Sequence, residues 1–147
     1  MTELNKLHKT NSNRILVVDD EEFCLCTVKY LLIKLGVDVD ASVDFCLNGQ
    51  EALHTVEDAM GHGVSYVLIL TDFSMPKMDG LESTRRIREF YNRKRLPKEN
   101  QPAIIGVTGH NERSFQVEGL SSGMDAVEFK PLYIDTLEAI IKKHYNQ

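Results

Sequence analysis

The 147-residue chain has no tryptophan and little cysteine, proline or glycine, at 3, 4 and 9 residues. This composition excludes collagen-like and low-complexity chains. No long hydrophobic run is present, because the most apolar stretch, Val64–Leu70, is seven residues long, so we predict no transmembrane helix. Residues 1–13 lack the apolar centre of a secretory signal. Cys24, Cys26 and Cys46 form a sparse set without Cys-x-x-Cys spacing, which favours a reducing, cytoplasmic location.

The chain also has fewer positively charged than negatively charged residues. The chain carries 17 Lys and Arg against 22 Asp and Glu, for a formal net charge of −5, which argues against direct nucleic-acid binding. Hydrophobic residues make up 42% and charged residues 27%, the balance of a globular protein. The length suits one domain. We therefore divide the chain into a polar leader or linker, residues 1–13, and one domain, residues 14–147.

Apolar runs alternate with segments of helical periodicity from Arg14 onward, which predicts five strands alternating with five helices. The strands are predicted at 15–18, 43–47, 66–71, 103–108 and 125–130, and the helices at 22–35, 49–60, 79–91, 111–122 and 134–145. Asn48 and Asp79, each followed three residues later by Glu, predict two helix N-termini. Strands that are apolar throughout are covered on both faces, so we expect an α/β fold with a parallel sheet between helices.

The polar residues that end these strands carry the functional signal. Asp19 and Asp20 follow the first strand, Asp72 the third, Thr108 ends the fourth, and Lys130 follows the fifth. Ligands of open α/β sheets bind beyond the carboxyl ends of the strands. Neighbouring carboxylates repel one another unless a cation or a proton intervenes, and an all-oxygen set suits Mg²⁺. The sequence thus predicts an aspartate that accepts phosphate beside charges that stabilise its transfer.

Residues 14–145 resemble a response-regulator receiver domain, the phosphoacceptor module of two-component signalling. The resemblance rests on four motifs in order, ILVVDDE at 15–21, LTDFSMPKMDG at 70–80, VTG at 107–109 and FKP at 129–131. It implies a flavodoxin-like (βα)5 three-layer sandwich whose five-stranded parallel sheet has the order 2-1-3-4-5.

The resemblance also implies a role for each matching residue. Asp72 would be phosphorylated, Asp20 would bind Mg²⁺ directly, and Asp19 would act mainly through a metal-bound water. Asp72 and the backbone carbonyl of Ser74 would complete the protein ligands, with Mn²⁺ as a substitute metal.

Around the phosphoryl group, Thr108 would donate a hydrogen bond and Lys130 would form an ion pair. The peptide between Lys130 and Pro131 would be cis.

Two positions near the site need separate mention, because one departs from the family pattern and the other is expected to modulate the chemistry of the site. Many receivers have Tyr or Phe three residues before the lysine, where this chain has Val127, which puts the usual aromatic half of the switch in doubt. The parity of Phe129 along its strand predicts a core position. His110, two residues after Thr108, is expected to face solvent and to modulate hydrolysis of the phosphoryl group.

The implied partner is a histidine kinase or a histidine phosphotransfer protein that supplies phosphohistidine. Such a domain catalyses its own phosphorylation and dephosphorylation but is a signalling module rather than a turnover enzyme. The switching face would comprise residues 111–122, 125–129 and 134–145. We expect a monomer or a weak phosphorylation-dependent dimer, with no membrane contact by this domain.

Three alternatives remain open on the sequence. The chain is either a stand-alone regulator or part of a hybrid kinase, which could be membrane-attached, and long segments at 36–49 and 92–102 favour the latter. A haloacid-dehalogenase-like phosphatase also uses Asp, Mg²⁺, Thr and Lys, but its nucleophile ends the first strand in a DxD pattern. A receiver-shaped interaction module that is never phosphorylated is the third.

Overall fold

A computed structural model describes residues 13–110 and 112–145, so the predicted leader lies outside the described residues except for Asn13. Five strands alternate with five main helices in this part of the chain. The strands are β1 (Arg14–Val18), β2 (Val43–Cys46), β3 (Tyr66–Asp72), β4 (Ala103–Thr108) and β5 (Ala126–Phe129). The helices are α1 (Glu22–Lys34), α2 (Gly49–Gly61), α3 (Gly80–Arg93), α4 (Arg113–Ser122) and α5 (Ile134–His144).

All strand pairs are parallel, and the five-stranded sheet has the order β2-β1-β3-β4-β5. The flavodoxin-like expectation is therefore confirmed. The chain order reverses at β1, between β2 and β3, which is where an open α/β sheet forms its crevice.

Two hydrophobic cores lie on opposite faces of the sheet because successive strand residues point to opposite sides. Leu16 and Val18 of β1 pack beneath α2 and α3, whereas Ile15 and Val17 pack beneath α1 and α5. Each core contains side chains that are almost completely buried, such as Leu32 of α1. The sheet is thus a rigid central layer that fixes the positions of its strand ends.

Local signals explain where two of the helices begin. The side chain of Asn48 accepts a hydrogen bond from the Glu51 N–H at 2.9 Å, and Asp79 accepts one from the Glu82 N–H at 2.8 Å. Both predicted caps are confirmed, and each satisfies one of the free N–H groups of its helix.

Three local predictions need correction. The stretch before β2 contains a helical turn, Val39–Ser42, and the loop after α3 contains a 3₁₀ turn, Lys98–Asn100. Phe129, expected in the core, is 39% exposed, because β5 lies at the edge of the sheet and ends there.

A buried arginine joins α3 to the starts of β4 and β5. The Arg88 guanidinium donates to the Asp125 carboxylate at 2.9 Å and to the carbonyls of Gly123 and Pro102 at 3.0 Å. Asp125 also accepts from the Ile104 N–H at 2.8 Å and from the Lys98 ammonium at 2.6 Å. This network holds together elements that are distant in sequence.

Within the described ranges, no helix combines the length and the apolar character that crossing a membrane requires.

Candidate functional site

The site lies at the carboxyl edge of the sheet, where four strands deliver one polar group each. Asp19 follows β1, Asp72 is the last residue of β3, Thr108 is the last residue of β4, and Lys130 follows β5. Parallel pairing places these strand ends side by side. Val18 of β1 pairs with Thr71 on one side of β3, and Val107 of β4 pairs with Asp72 on the other side. The structure therefore brings together the residues that the sequence predicted.

Three carboxylates form the acidic part of the site. Asp19, Asp20 and Asp72 each offer an oxygen that lies within 4.8 Å of the other two. The side chains of Asp19 and Asp72 are only 10% exposed, whereas Asp20 is exposed at the mouth. A compact set of carboxylate oxygens open to solvent on one side is the donor set that a small hard cation such as Mg²⁺ prefers.

Lys130 supplies the cationic part. Its ammonium lies 3.1 Å from Asp19 Oδ2 and 3.4 Å from Asp72 Oδ1, so it bridges the two buried carboxylates. Burial alone would lower the pKa of Lys130, but the charges of Asp72 and Asp19 outweigh burial and raise it. The lysine therefore stays protonated at neutral pH.

Asp72 is held in an unfavourable charged environment. Burial, followed by repulsion from Asp19, raises the pKa of the Asp72 carboxyl, and attraction to Lys130 offsets this only in part. The Phe73 N–H donates to Asp72 Oδ1 at 2.8 Å and fixes the orientation of the carboxylate. The second oxygen is left for a ligand or for chemistry.

Thr108 is buried at the end of β4, with its hydroxyl facing the loop that follows. The hydroxyl oxygen accepts a hydrogen bond from the His110 N–H at 3.1 Å, and its own hydrogen remains to be donated. The Lys130 N–H donates to the Thr108 carbonyl at 2.7 Å, which ties the ends of β4 and β5 together.

The loop between β3 and α3 borders the site on another side. Ser74 is exposed in this loop, and its carbonyl as a metal ligand stays a prediction. Gly80 is required where the loop re-enters helix, because a Cβ there would overlap the Asp72 carbonyl oxygen. The Lys130–Pro131 peptide is cis.

Two further residues, Cys24 and Phe115, touch the site although the sequence did not assign them to it. Cys24 of α1 places its Sγ 4.0 Å from the Lys130 ammonium. Phe115 of α4 stacks on the ring of His110, with ring centroids 4.6 Å apart, and also lies against Phe73. No sequence spacing signals the Phe115 contact, since it depends on the tertiary placement of α4 against His110. Val127, whose side chain lacks a ring, is buried.

A cavity of about 370 Å³ adjoins the site on the α1 side of the sheet. Its lining combines Asp19, Asp72 and Lys130 with mostly apolar side chains such as Val28 and Leu132. Taken together, the site can hold a divalent cation, present an oriented carboxylate nucleophile and neutralise an incoming anion.

Comparisons with known proteins agree with this chemistry. The family model described as "Response regulator receiver domain" matches residues 15–142. The chain is 38% identical over 133 residues to the sensor protein EvgS of Escherichia coli K12, covering 90% of this chain and 9% of EvgS. It is 33% identical over 130 residues to the transcription factor SKN7 of Candida albicans, covering 88% of this chain and 20% of SKN7.

Solved structures share the fold. A CheY-like receiver domain protein from Methanospirillum hungatei has a TM-score of 0.69 and 27% identity, with 88% of this chain and 90% of that chain covered. The receiver domain of Ssk1 from Saccharomyces cerevisiae, co-crystallised with the histidine phosphotransfer protein Ypd1, has a TM-score of 0.75 and 23% identity, covering 90% and 88%. The chain thus spans a whole receiver-sized unit but a small part of the EvgS and SKN7 sequences.

Proposed function

This chain belongs to the response regulator receiver domain family, and we propose that it accepts a phosphoryl group from phosphohistidine onto the carboxylate of Asp72 in a Mg²⁺-dependent reaction. Membership makes it a phosphoacceptor domain of two-component phosphorelay signalling; the assignment of roles to individual residues is our proposal. We propose residues 14–147 as the extent of the domain and a cytoplasmic location for it.

One observation carries the assignment to Asp72. Of the three clustered carboxylates, Asp72 lies centrally in the sheet edge and takes both the Phe73 N–H and the Lys130 ammonium on Oδ1. Asp19, in contrast, uses Oδ1 for the Glu21 N–H and Oδ2 for Lys130. A nucleophile that attacks phosphorus needs this combination of fixed orientation and a nearby cation. Asp20 is exposed, which suits a residue that binds the metal rather than the attacking group.

The donor set fits the expected metal. The oxygens of Asp19, Asp20 and Asp72 converge within 4.8 Å, and among the described residues no other three His, Cys, Asp or Glu side chains cluster in this way. We propose that Asp20 and Asp72 bind Mg²⁺ directly with the Ser74 carbonyl, and that Asp19 acts mainly through a metal-bound water. The bound cation would supply charge neutralisation for the transferring group, and Mn²⁺ would substitute for it.

Three residues of the chain have separate roles in the phosphoryl transfer itself. The free oxygen of Asp72 forms a bond to phosphorus in line with the breaking P–N bond of the donor, and the departing imidazole keeps the electron pair. Lys130 neutralises a phosphoryl oxygen, and Thr108 donates its hydroxyl hydrogen to another. The product is an acyl phosphate, which water can hydrolyse in the same site.

We propose a histidine kinase or a histidine phosphotransfer protein as the donor. Support comes from two likenesses, to the sensor protein EvgS and to a receiver domain that was crystallised with Ypd1. The family match favours this interpretation over a haloacid-dehalogenase-like phosphatase. We further propose that the face formed by α4, β5 and α5 conveys the signal, in a monomer or a weak phosphorylation-dependent dimer.

Intact-mass spectrometry after incubation with acetyl phosphate and Mg²⁺ tests the proposal. The parent chain is expected to gain one phosphoryl group, Asp72→Asn none, and the matched control Asp58→Asn, altered at an exposed aspartate of α2, one. Labelling should disappear when a chelator removes the metal. Retained labelling of Asp72→Asn would overturn the assignment, and an unlabelled parent would favour an interaction module.

A further inference from the structure

The ring of Phe115 on α4 is connected to both sides of the phosphoacceptor site. On one side it stacks on His110, with centroids 4.6 Å apart and planes inclined by 10°. On the other it lies tilted against Phe73, with centroids 6.2 Å apart. Both neighbours are bonded to the site through their backbone, because the His110 N–H donates to Thr108 Oγ1 at 3.1 Å and the Phe73 N–H donates to Asp72 Oδ1 at 2.8 Å.

On the β5 side of the same region, the packing leaves no space in which an aromatic side chain could move. Val127 is buried, and a Cβ added at Gly119 of α4 would meet a Val127 methyl carbon at 2.5 Å. The same added atom would lie 3.0 Å from Phe73 and 3.1 Å from the Met124 sulfur, so this space is already filled. The ring that contacts both His110 and Phe73 therefore comes from α4, at Phe115.

Helix α4 packs closely at Gly119 but buries little else, so it is able to respond. Its only buried residues in the described part of the chain are Gly119 and Ser122, whereas Val117 and Leu120 are 53% and 48% exposed. Few buried side chains mean that a small shift of this helix disrupts little packing. The half-buried Phe115 is thus one of its main attachments to the site.

We propose that Phe115 is a positioning residue that couples the phosphoryl state of Asp72 to α4 through His110 and Phe73, in place of an aromatic side chain at position 127. This inference rests on the proposed function, because it requires Asp72 to receive the group. When the Thr108 hydroxyl turns to donate to a phosphoryl oxygen, the acceptor of the His110 N–H moves with it. His110 follows, its ring carries the stacked Phe115 ring, and α4 shifts.

The expected size of the coupling follows from the contact that carries it. An aromatic pair contributes enough to change a two-state population about two- to twelvefold. Removing the Phe115 ring should therefore reduce the response of α4 without preventing ligand binding at Asp72. A merely structural role would lower stability but would leave the response intact.

Amide NMR spectra recorded with and without Mg²⁺ and beryllofluoride, a phosphoryl analogue, separate these effects. The Lys130 amide reports occupancy of the site, and the amides of residues 113–122 report the helix. We expect Phe115→Leu to saturate at Lys130 as the parent does, while losing about half or more of the α4 shift changes. Phe115→Tyr, which keeps a ring, should restore them, and Val117→Ala, at an exposed position of the same helix, should retain them.

His110→Ala tests the same contact from an exposed position, and it should also lose the α4 response. Parent-like α4 shifts in both Phe115→Leu and His110→Ala would overturn this inference while leaving the proposed function standing. A parent chain whose Lys130 amide did not respond to beryllofluoride would instead overturn the proposed function and this inference with it.

Discussion

Asp72, the proposed phosphoacceptor, is held in the fold against unfavourable electrostatics. Its carboxylate is buried beside Asp19, and both effects raise its pKa, with only partial compensation by Lys130. A raised pKa in the folded state means that the negative charge opposes folding once it has formed. The fold thus keeps an energetically strained carboxylate at the place where a cation and a phosphoryl group would relieve the strain.

Replacing the charge should therefore stabilise the metal-free chain. We expect Asp72→Asn to raise the melting temperature at neutral pH by a few degrees, which corresponds to about 1 kcal/mol. The gain should shrink as pH falls through the raised pKa of Asp72, because the parent carboxyl is then protonated as well. Calorimetry in a chelating buffer measures both effects, and a lower melting temperature for the variant would contradict them.

The pKa of Asp125 is shifted in the opposite direction, downward. Burial would raise its pKa, but the hydrogen bonds from Lys98 and the Ile104 N–H, with the charge of Arg88, outweigh burial and lower it. Its contribution to stability is therefore present above the ordinary aspartate pKa of about 4 and is lost as pH falls below that value.

We expect Asp125→Asn to destabilise the chain by about 1–3 kcal/mol at pH 7, because Arg88 would keep a buried charge without its partner. The cost should be smaller in acid, where the parent loses the same charge. Urea unfolding at neutral and acidic pH tests this, with Asp135→Asn on the exposed surface of α5 as the control. A cost that did not depend on pH would contradict the assignment.

At the scale of helices and strands, the N-terminal cap of α2 is a contact that both the sequence and the structure specify. Asn48 accepts from the Glu51 N–H at 2.9 Å, and its loss leaves a helix donor without a partner. We expect Asn48→Ala to cost about 1 kcal/mol in urea unfolding, while Gln50→Ala, at the exposed neighbouring position, should cost little. Equal effects of the two substitutions would argue against the cap.

Elements were predictable where local chemistry decides them. Apolar runs located all five strands, and capping residues located the starts of α2 and α3, because these signals act within a few residues. The exposure of Phe129 was not predictable, since it depends on β5 being the sheet edge. The contact of Phe115 with His110 was not predictable either, because it is made between a loop and a helix whose packing is tertiary.

The site was predictable because the topology of the whole sheet determines which residues meet there. Parallel strands bring their carboxyl ends to one edge, so Asp19, Asp72, Thr108 and Lys130 had to converge once the sheet was parallel. The distances among them, the cation bridge and the contact with Cys24 required the structure, because they depend on side-chain conformation.

With a net charge of −5 and three carboxylates at one edge of the sheet, we expect the chain to be stabilised by divalent cations. Saturating Mg²⁺ at about a hundred times its dissociation constant should add about 2.7 kcal/mol, or roughly 5–10 °C in melting temperature. Asp20→Asn should abolish most of this shift, whereas Asp40→Asn, far from the site in the helical turn before β2, should retain it. A shift of equal size in both variants would indicate non-specific cation binding.

The most direct test of the account is a crystal structure of the chain grown with Mg²⁺ and beryllofluoride. We predict a beryllofluoride group bound to the Asp72 carboxylate, contacted by Lys130 and Thr108, with a cation held among Asp19, Asp20 and Asp72. Beryllofluoride on another carboxylate, or a site that stays empty at saturating concentrations, would contradict the central claim.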